Sequence, residues 1–288
     1  MKISLVTTLP GLGENKRIEE EVKALGHEFK LLNLKNFEFK IDQNYKSEFN
    51  NLEADIVIVR GVVHSIKPIA AILENLRRQG VRIFDNNFLN HKYAIDKVTD
   101  ITKLALASIP VPKTYYARDW ESISKNADKL EYPLIFKSAR SGKGASVFKL
   151  ENQEGFKKLI ADLQEKDKNA KSFIAQEFID YKYDLRALIV GEKVFTMRRI
   201  PGEGEFRANF SLGGSVELYD LDEEGKFLAV KALRAIDMTV GGVDILIDKD
   251  NNRFILEVNH TAGMLGMERA TGENITKTYV EHAIEKAK

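Results

Sequence analysis

Strand and helix patterns alternate through the first ninety residues of this 288-residue chain, and from Ser172 onward strand follows strand. That change of rhythm constrains the fold. Strands separated by helices favour a parallel sheet with right-handed crossovers, whereas adjacent strands favour antiparallel meanders. In the first stretch "KISLVTT", "EFKLLNL", "ADIVIVRG" and "VRIFDN" read as strands, with helices at "NKRIEEEVKALG", closed by Gly26, and at "KPIAAILENLRRQG". The expectation is a doubly wound domain over residues 1–92. A second unit, 93–171, opens with a helical period from Tyr93 to Ala107 that Pro110 and Pro112 stop. It continues with a helix at "WESISKNADKL", strands "PLIFKSA" and "ASVFKLE" around the loop "RSGKG", and a helix at "EGFKKLIADLQEK". Residues 172–288 supply "SFIAQEFI", "YDLRALIVG", "KVFTMRRI", "FRANFSL", "GGVDILID" and "RFILEVN", a helix around "AVKALRAIDM" and a closing helix after "ATGEN". The fold class is therefore α/β followed by α+β.

Composition removes several kinds of chemistry. Lys and Arg total 44 against 43 for Asp and Glu, so no bulk positive field draws nucleic acid, and a charged ligand has to be held locally. The chain has no cysteine, which excludes disulfides, thiolate metal sites and thiol catalysis. No apolar run approaches the ~20 residues that span a bilayer. "MKISLVTT" reads as a strand without the pattern of a signal peptide, so the expected compartment is the cytoplasm.

The stretch "ILEVNHTAG" places Glu257 and Asn259 two apart in an otherwise apolar strand, hence on one face. "GVDILID" and "RFILEVN" bracket "KDNN", a turn-rich sequence suited to a hairpin loop. With a four-residue loop, Asp248 faces Arg253, Asp244 falls opposite Glu257, and Asn259 faces Gly242. Val243, Ile245, Phe254, Leu256 and Val258 then share the apolar face. Asp244, Glu257 and Asn259 converge, and two carboxylates that close repel unless a cation lies between them. Oxygen donors without His or Cys suit a hard ion such as Mg²⁺, which commonly shares its shell with phosphate and water. The bland alternative is a pair of solvated strand-end acids, and a different loop length would break the register.

"FKSARSGKGAS" sets Lys137 at the end of a strand before a small-residue loop. It is not a P-loop, because Lys137 stands where the first Gly belongs and Gly144 where Ser or Thr is required. A glycine loop between strands can still fold over a triphosphate, although "SGKG" is also an ordinary hairpin tip. "PGLGEN" fails the dinucleotide fingerprint. Gln176 and Glu177 fall within one strand and Asp184 and Arg186 within the next, while Arg198, Arg199, Arg207 and Asn209 flank a glycine-rich turn. Singly these arginines read as surface residues; together they suit the charge of a transferring phosphoryl group.

The ordered motifs "DKVTDITKLALASIPVPKT", "PLIFKSARSGKGASVF", "IAQEFIDYKYDLRALIVGEKVFTMRR", "FRANFSLGG" and "GVDILIDKDNNRFILEVNHTAG" resemble those of the ATP-grasp superfamily, specifically its RimK-like carboxylate–amine ligases. The resemblance covers essentially the whole chain. It implies an ATP-grasp fold with an N-terminal pre-domain, then a central subdomain carrying the glycine-rich loop and a C-terminal subdomain carrying the metal site. Lys97 and Lys137 match phosphate-contacting lysines, the loop with Ser141, Gly142 and Gly144 covers the triphosphate, and adenine sits against Glu177 and Phe178. Asp184 matches an acid that contacts the nucleotide, Arg207 and Asn209 match residues beside the triphosphate, and Asp244, Glu257 and Asn259 match the metal ligands. "NHTAG" stands where many relatives have other residues, and Lys143 is bulky for the loop.

The implied cofactors are ATP and Mg²⁺, with Mn²⁺ as the alternative ion. The implied reaction forms an amide through an acylphosphate and releases ADP and phosphate. No protein nucleophile is needed; Lys137, Arg207 and Arg199 neutralise charge while the loop at 139–145 closes as a lid. The family favours a small amino acid such as glutamate and a peptide or metabolite carboxylate as substrates, with a homo-oligomer compatible. Arg60, at the end of "ADIVIVR", is the candidate acceptor contact, with His64 and His260 weaker ones. The competing readings are a non-catalytic ATP-binding regulatory module and a ligase acting on an amino-group carrier protein.

Overall fold

The computed structural model describes residues 1–36, 52–62, 66–85, 96–140, 146–203, 205 and 214–286. The N-terminal sheet contains β1 (Lys2–Thr7), β2 (Glu28–Asn33), β3 (Ile56–Val59) and β4 (Arg82–Phe84), all parallel in the order β2-β1-β3-β4. Helices cover both faces, which is why β3 is the unbroken apolar run Ile-Val-Ile-Val and is fully buried. Ile3 and Leu5 join the core of Ile18 and Val22 on α1 (Gly13–Ala24). Val6, Val57 and Val59 join that of Leu73 and Leu76 on α2 (Ile66–Arg78). The expected doubly wound domain is present.

α3 (Lys97–Leu106) starts where Asp96 accepts the Thr99 amide at 2.8 Å, a side-chain N-cap. Four antiparallel-paired strands follow: β5 (Thr114–Tyr115), β6 (Leu134–Ser138), β7 (Val147–Leu150) and β8 (Phe173–Glu177), in the order β5-β8-β6-β7. α4 (Trp120–Ala127) and α5 (Gln153–Glu165) cover one face, where Phe136 stacks on Phe173 and meets Phe156 edge-on, both at 5.2 Å. β8 hydrogen-bonds within this sheet, so the change of sheet falls after Glu177 rather than at Ser172.

The third sheet is antiparallel throughout: β9 (Tyr181–Val190), β10 (Lys193–Ile200), β11 (Ser215–Leu218), β12 (Val240–Asp248) and β13 (Arg253–Asn259), in the order β11-β10-β9-β12-β13. One face buries Leu185, Ala187, Val243, Ile245 and Ile255 against Ala229, Ala232 and Leu233 of α6 (Glu223–Ala235). α6 begins six residues before the expected Ala229 because Asp222 caps it, accepting the Gly225 amide at 2.9 Å. β11 and the short α7 (Leu265–Thr271) were not anticipated, and the expected strand "FRANFSL" lies outside the described residues. α8 (Ile275–Lys286) closes the chain.

On its other face the third sheet presents Leu188, Phe195, Met197 and Val240, which share one core with Met264, Met267, Tyr279 and the N-terminal Ile3, Leu5 and Ile18. Arg60 crosses this junction. Its guanidinium donates to the Ala262 carbonyl at 2.7 Å, lies 3.4 Å from Asp85 and sits 5.1 Å from the Tyr279 ring centroid. The Tyr279 hydroxyl in turn donates to Asp85 at 2.9 Å. Arg60, expected to meet the acceptor, is instead buried and committed to holding domains together, because an uncompensated guanidinium in this apolar junction would be costly. His64 lies outside the described residues.

Candidate active site

Pairing on the third sheet lines side chains up in rows across the strands, and directly opposed residues share a face. One row runs Arg199, Asp184, Leu246, Phe254; the next runs Met197, Arg186, Asp244, Glu257; the third runs Phe195, Leu188, Gly242, Asn259. Asp244 thus stands beside Glu257, and Asn259 one row along beside Gly242, as the sequence requires. The route differs from the expectation. Arg253 opposes Ile247 rather than Asp248, and a β-bulge at Asp244/Ile245 inserts Leu256 as the extra residue. The bulge absorbs the one-residue discrepancy in the turn. Consequently Ile255, rather than Phe254 and Leu256, joins Val243, Ile245 and Val258 in the core.

Asp244 is 3% exposed, and two arginines meet its carboxylate. Arg186 grips it in a fork, Nε to Oδ1 and Nη2 to Oδ2, both 2.8 Å. Arg199 Nη2 lies 3.1 Å from Oδ2. Burial opposes the charge on Asp244, but Arg186 and Arg199 outweigh it and hold the carboxyl down at about 2. Arg199 also binds Asp184, Nε to Oδ1 at 2.8 Å, yet burial pushes Asp184 up to about 6. Burial works against the Arg199 cation too, and Asp244 and Asp184 more than restore it.

The central sheet contributes the opposing cations. Lys97 opens α3, its amide bonded to the Ala139 carbonyl at 3.0 Å, and its ammonium lies 3.3 Å from Glu257. Lys137 is buried at the end of β6, and burial lowers its ammonium to about 8 against the pull of Glu257. Both lysines therefore face the carboxylate row.

Glu177 does not join this group. Lys137 opposes Ile174 and Ile135 opposes Gln176, so alternation puts Gln176 on the face of Lys137 and Glu177 on the other. The Glu177 carboxylate accepts the Lys113 amide at 2.7 Å. Beside it Lys149 stands 4.3 Å over the Phe178 ring, and a cavity of about 590 Å³ is lined by Lys113, Lys129, Tyr132, Lys149, Glu177 and Phe178. Ser141, Gly142, Lys143, Gly144, Arg207 and Asn209 lie outside the described residues.

His260 was expected to be at most a loop residue or acceptor contact. It is buried, with Nε2 2.9 Å from Asp100 on α3. One turn of α3 therefore meets β13 through Lys97 at Glu257 and the residue just after that strand through Asp100 at His260. The sequence signal was the i, i+3 spacing of Lys97 and Asp100 on one helix face. Among the described residues no three His, Cys, Asp or Glu side chains cluster for a metal, so the expected set depends on Asn259 as its third oxygen donor. The Asn259 amide nitrogen is buried without a hydrogen-bond partner among the described residues, a donor left over beside the carboxylates. Two carboxylates and one carboxamide fit a hard divalent ion.

Comparison with known proteins gives a consistent picture. Residues 94–283 match the RimK-like ATP-grasp domain. The chain is 29% identical to a probable alpha-L-glutamate ligase of Pasteurella multocida, covering 98% of this chain and 93% of the relative. It is 30% identical to one of Legionella pneumophila, covering 100% and 97%. Among solved structures, the ATP-grasp ligase PsnB complexed with minimal precursor superposes with a TM-score of 0.76 at 19% identity, covering 99% and 98%. A RimK domain ATP-grasp protein from Sphaerobacter thermophilus gives 0.74 at 18%, covering 98% and 99%.

Proposed function

Because the chain belongs to the RimK-like ATP-grasp family and is an ATP-dependent carboxylate–amine ligase, we propose that it joins an amino acid such as glutamate to a peptide or metabolite carboxylate through an acylphosphate. The observation that carries this reading is the meeting of Lys97, Lys137, Arg186 and Arg199 with Asp184, Asp244 and Glu257 on one sheet face. Glutamate is favoured by the names of the relatives, and a peptide acceptor by the precursor bound to PsnB.

A carboxylate resists amines because its charge repels them and oxide is a poor leaving group. In the proposed reaction a carboxylate oxygen attacks the γ-phosphorus of ATP and ADP departs. The amine then attacks the acyl carbon, loses a proton, and the tetrahedral adduct expels phosphate. Lys97, Lys137 and Arg199 neutralise phosphate charge that builds in a largely desolvated site. Arg207, beyond the described residues, takes the same role by resemblance. Asp244, Glu257 and Asn259 would hold Mg²⁺, which would supply positive charge to offset that of the phosphates. Lys137 is suited to this by placement: a buried ammonium gains strongly from an arriving anion.

The test is ADP release across mixed carboxylates and amino acids, followed by ¹⁸O-labelling of the active carboxylate. One labelled oxygen should appear in the released phosphate. Phosphate that carries no label would rule out the acylphosphate.

A further inference from the structure

Both carboxylates of the proposed metal set are already matched by protein cations. Glu257 has Lys97 at 3.3 Å; Asp244 has Arg186 on both oxygens and Arg199 on one. Counted over the described cluster, four side-chain cations face three carboxylates, an excess of one positive charge. A divalent cation entering alone would add two more. At a few ångströms, among side chains that are buried or only partly exposed, that repulsion is weakly screened.

The cations differ in what a nucleotide can do for them. Lys97, at a helix start and 3.3 Å from Glu257, carries its ammonium on a flexible four-carbon stem that can turn toward a phosphate. Arg186 has no such freedom. It lies directly between Met197 and Asp244 in its row, and its planar fork is spent on Asp244 with two parallel 2.8 Å bonds. That fork ties it to Asp244.

We propose that Arg186 is a resident counter-cation that makes metal loading at Asp244, Glu257 and Asn259 conditional on nucleotide. By neutralising Asp244 in the empty site it keeps that carboxylate from taking up a divalent ion. Phosphate charge then supplies the attraction that admits one. Arg186 is a positioning residue here, acting through Asp244. The inference rests on the metal assignment above.

The experiment is Mn²⁺ binding to the full chain, read from loss of the free-ion electron paramagnetic resonance signal, with and without ADP. Wild-type protein should bind Mn²⁺ tightly only with ADP. Arg186→Gln should bind Mn²⁺ without ADP at least about tenfold more tightly than wild type, the scale of one removed charge a few ångströms away. Arg186→Lys, which keeps the charge, should behave as wild type; this also serves if the glutamine variant does not fold. Tight Mn²⁺ binding by nucleotide-free wild type, or a lysine variant that gains nucleotide-free binding, would overturn the proposal. So would a folded glutamine variant with no gain. Adding Asp244→Asn to Arg186→Gln should abolish the gain. If the gain persists, the ion sits elsewhere, and the metal assignment fails rather than the electrostatic role alone.

Discussion

At the scale of single residues the site is governed by burial acting against charge, and Lys137 shows the consequence for pH. Its ammonium is lowered to about 8, first by burial. Below that pH the cation is already present. Above it, phosphate binding has to draw in a proton, so ADP affinity should fall as pH rises past about 8, by at most about tenfold per unit. Lys137→Arg, always protonated, should flatten that slope in a calorimetric titration from pH 7 to 10. An unchanged slope would place the titration elsewhere. The sequence showed Lys137 as a strand-end cation beside a small-residue loop. It could not show the burial, nor the Glu257 and Asp244 carboxylates that another sheet brings in against it.

Among elements, the β12–β13 hairpin carries most of the argument. Its key pairs were legible from the sequence because apolar and polar residues alternate toward the glycine at 242. The turn was not, since a bulge at Leu256 compensates for a longer loop and such paired departures leave no periodic trace. Asp248 organises that loop, accepting the amides of Asp250 at 2.9 Å and Asn252 at 2.8 Å. The bulge decides which side chain fills the core. Ile255→Ala should therefore cost about 2–5 kcal/mol in urea unfolding, and Leu256→Ala distinctly less. Equal losses would contradict the register. Similarly, β8 read as part of the strand-rich half because strand signals alone do not say which sheet a strand joins, while Asp100 and His260 lie 160 residues apart and only folding pairs them.

Over the whole molecule, the N-terminal domain and the third sheet share one core, and the Arg60, Asp85 and Tyr279 group pins that junction next to the loop after Asn259. Tyr279→Phe removes the hydroxyl from a buried Asp85 and should lower stability by about 1–3 kcal/mol, read as earlier proteolysis at the junction in a urea series. The doubly wound domain and its helices were visible in sequence periodicity; its Arg60 read as a ligand contact because strand-end arginines commonly are, and nothing local announces a partner on the last helix. The account as a whole stands on Asp244, Glu257 and Asn259 gripping a divalent ion that accompanies nucleotide. The most direct measurement is Mn²⁺ binding in the presence of saturating ADP, comparing wild type with Glu257→Gln at matched thermal stability. The account predicts that the variant loses at least about tenfold in Mn²⁺ affinity, as expected for removing a charged ligand, together with ATP turnover. Undiminished Mn²⁺ affinity and turnover in a folded Glu257→Gln protein would contradict it.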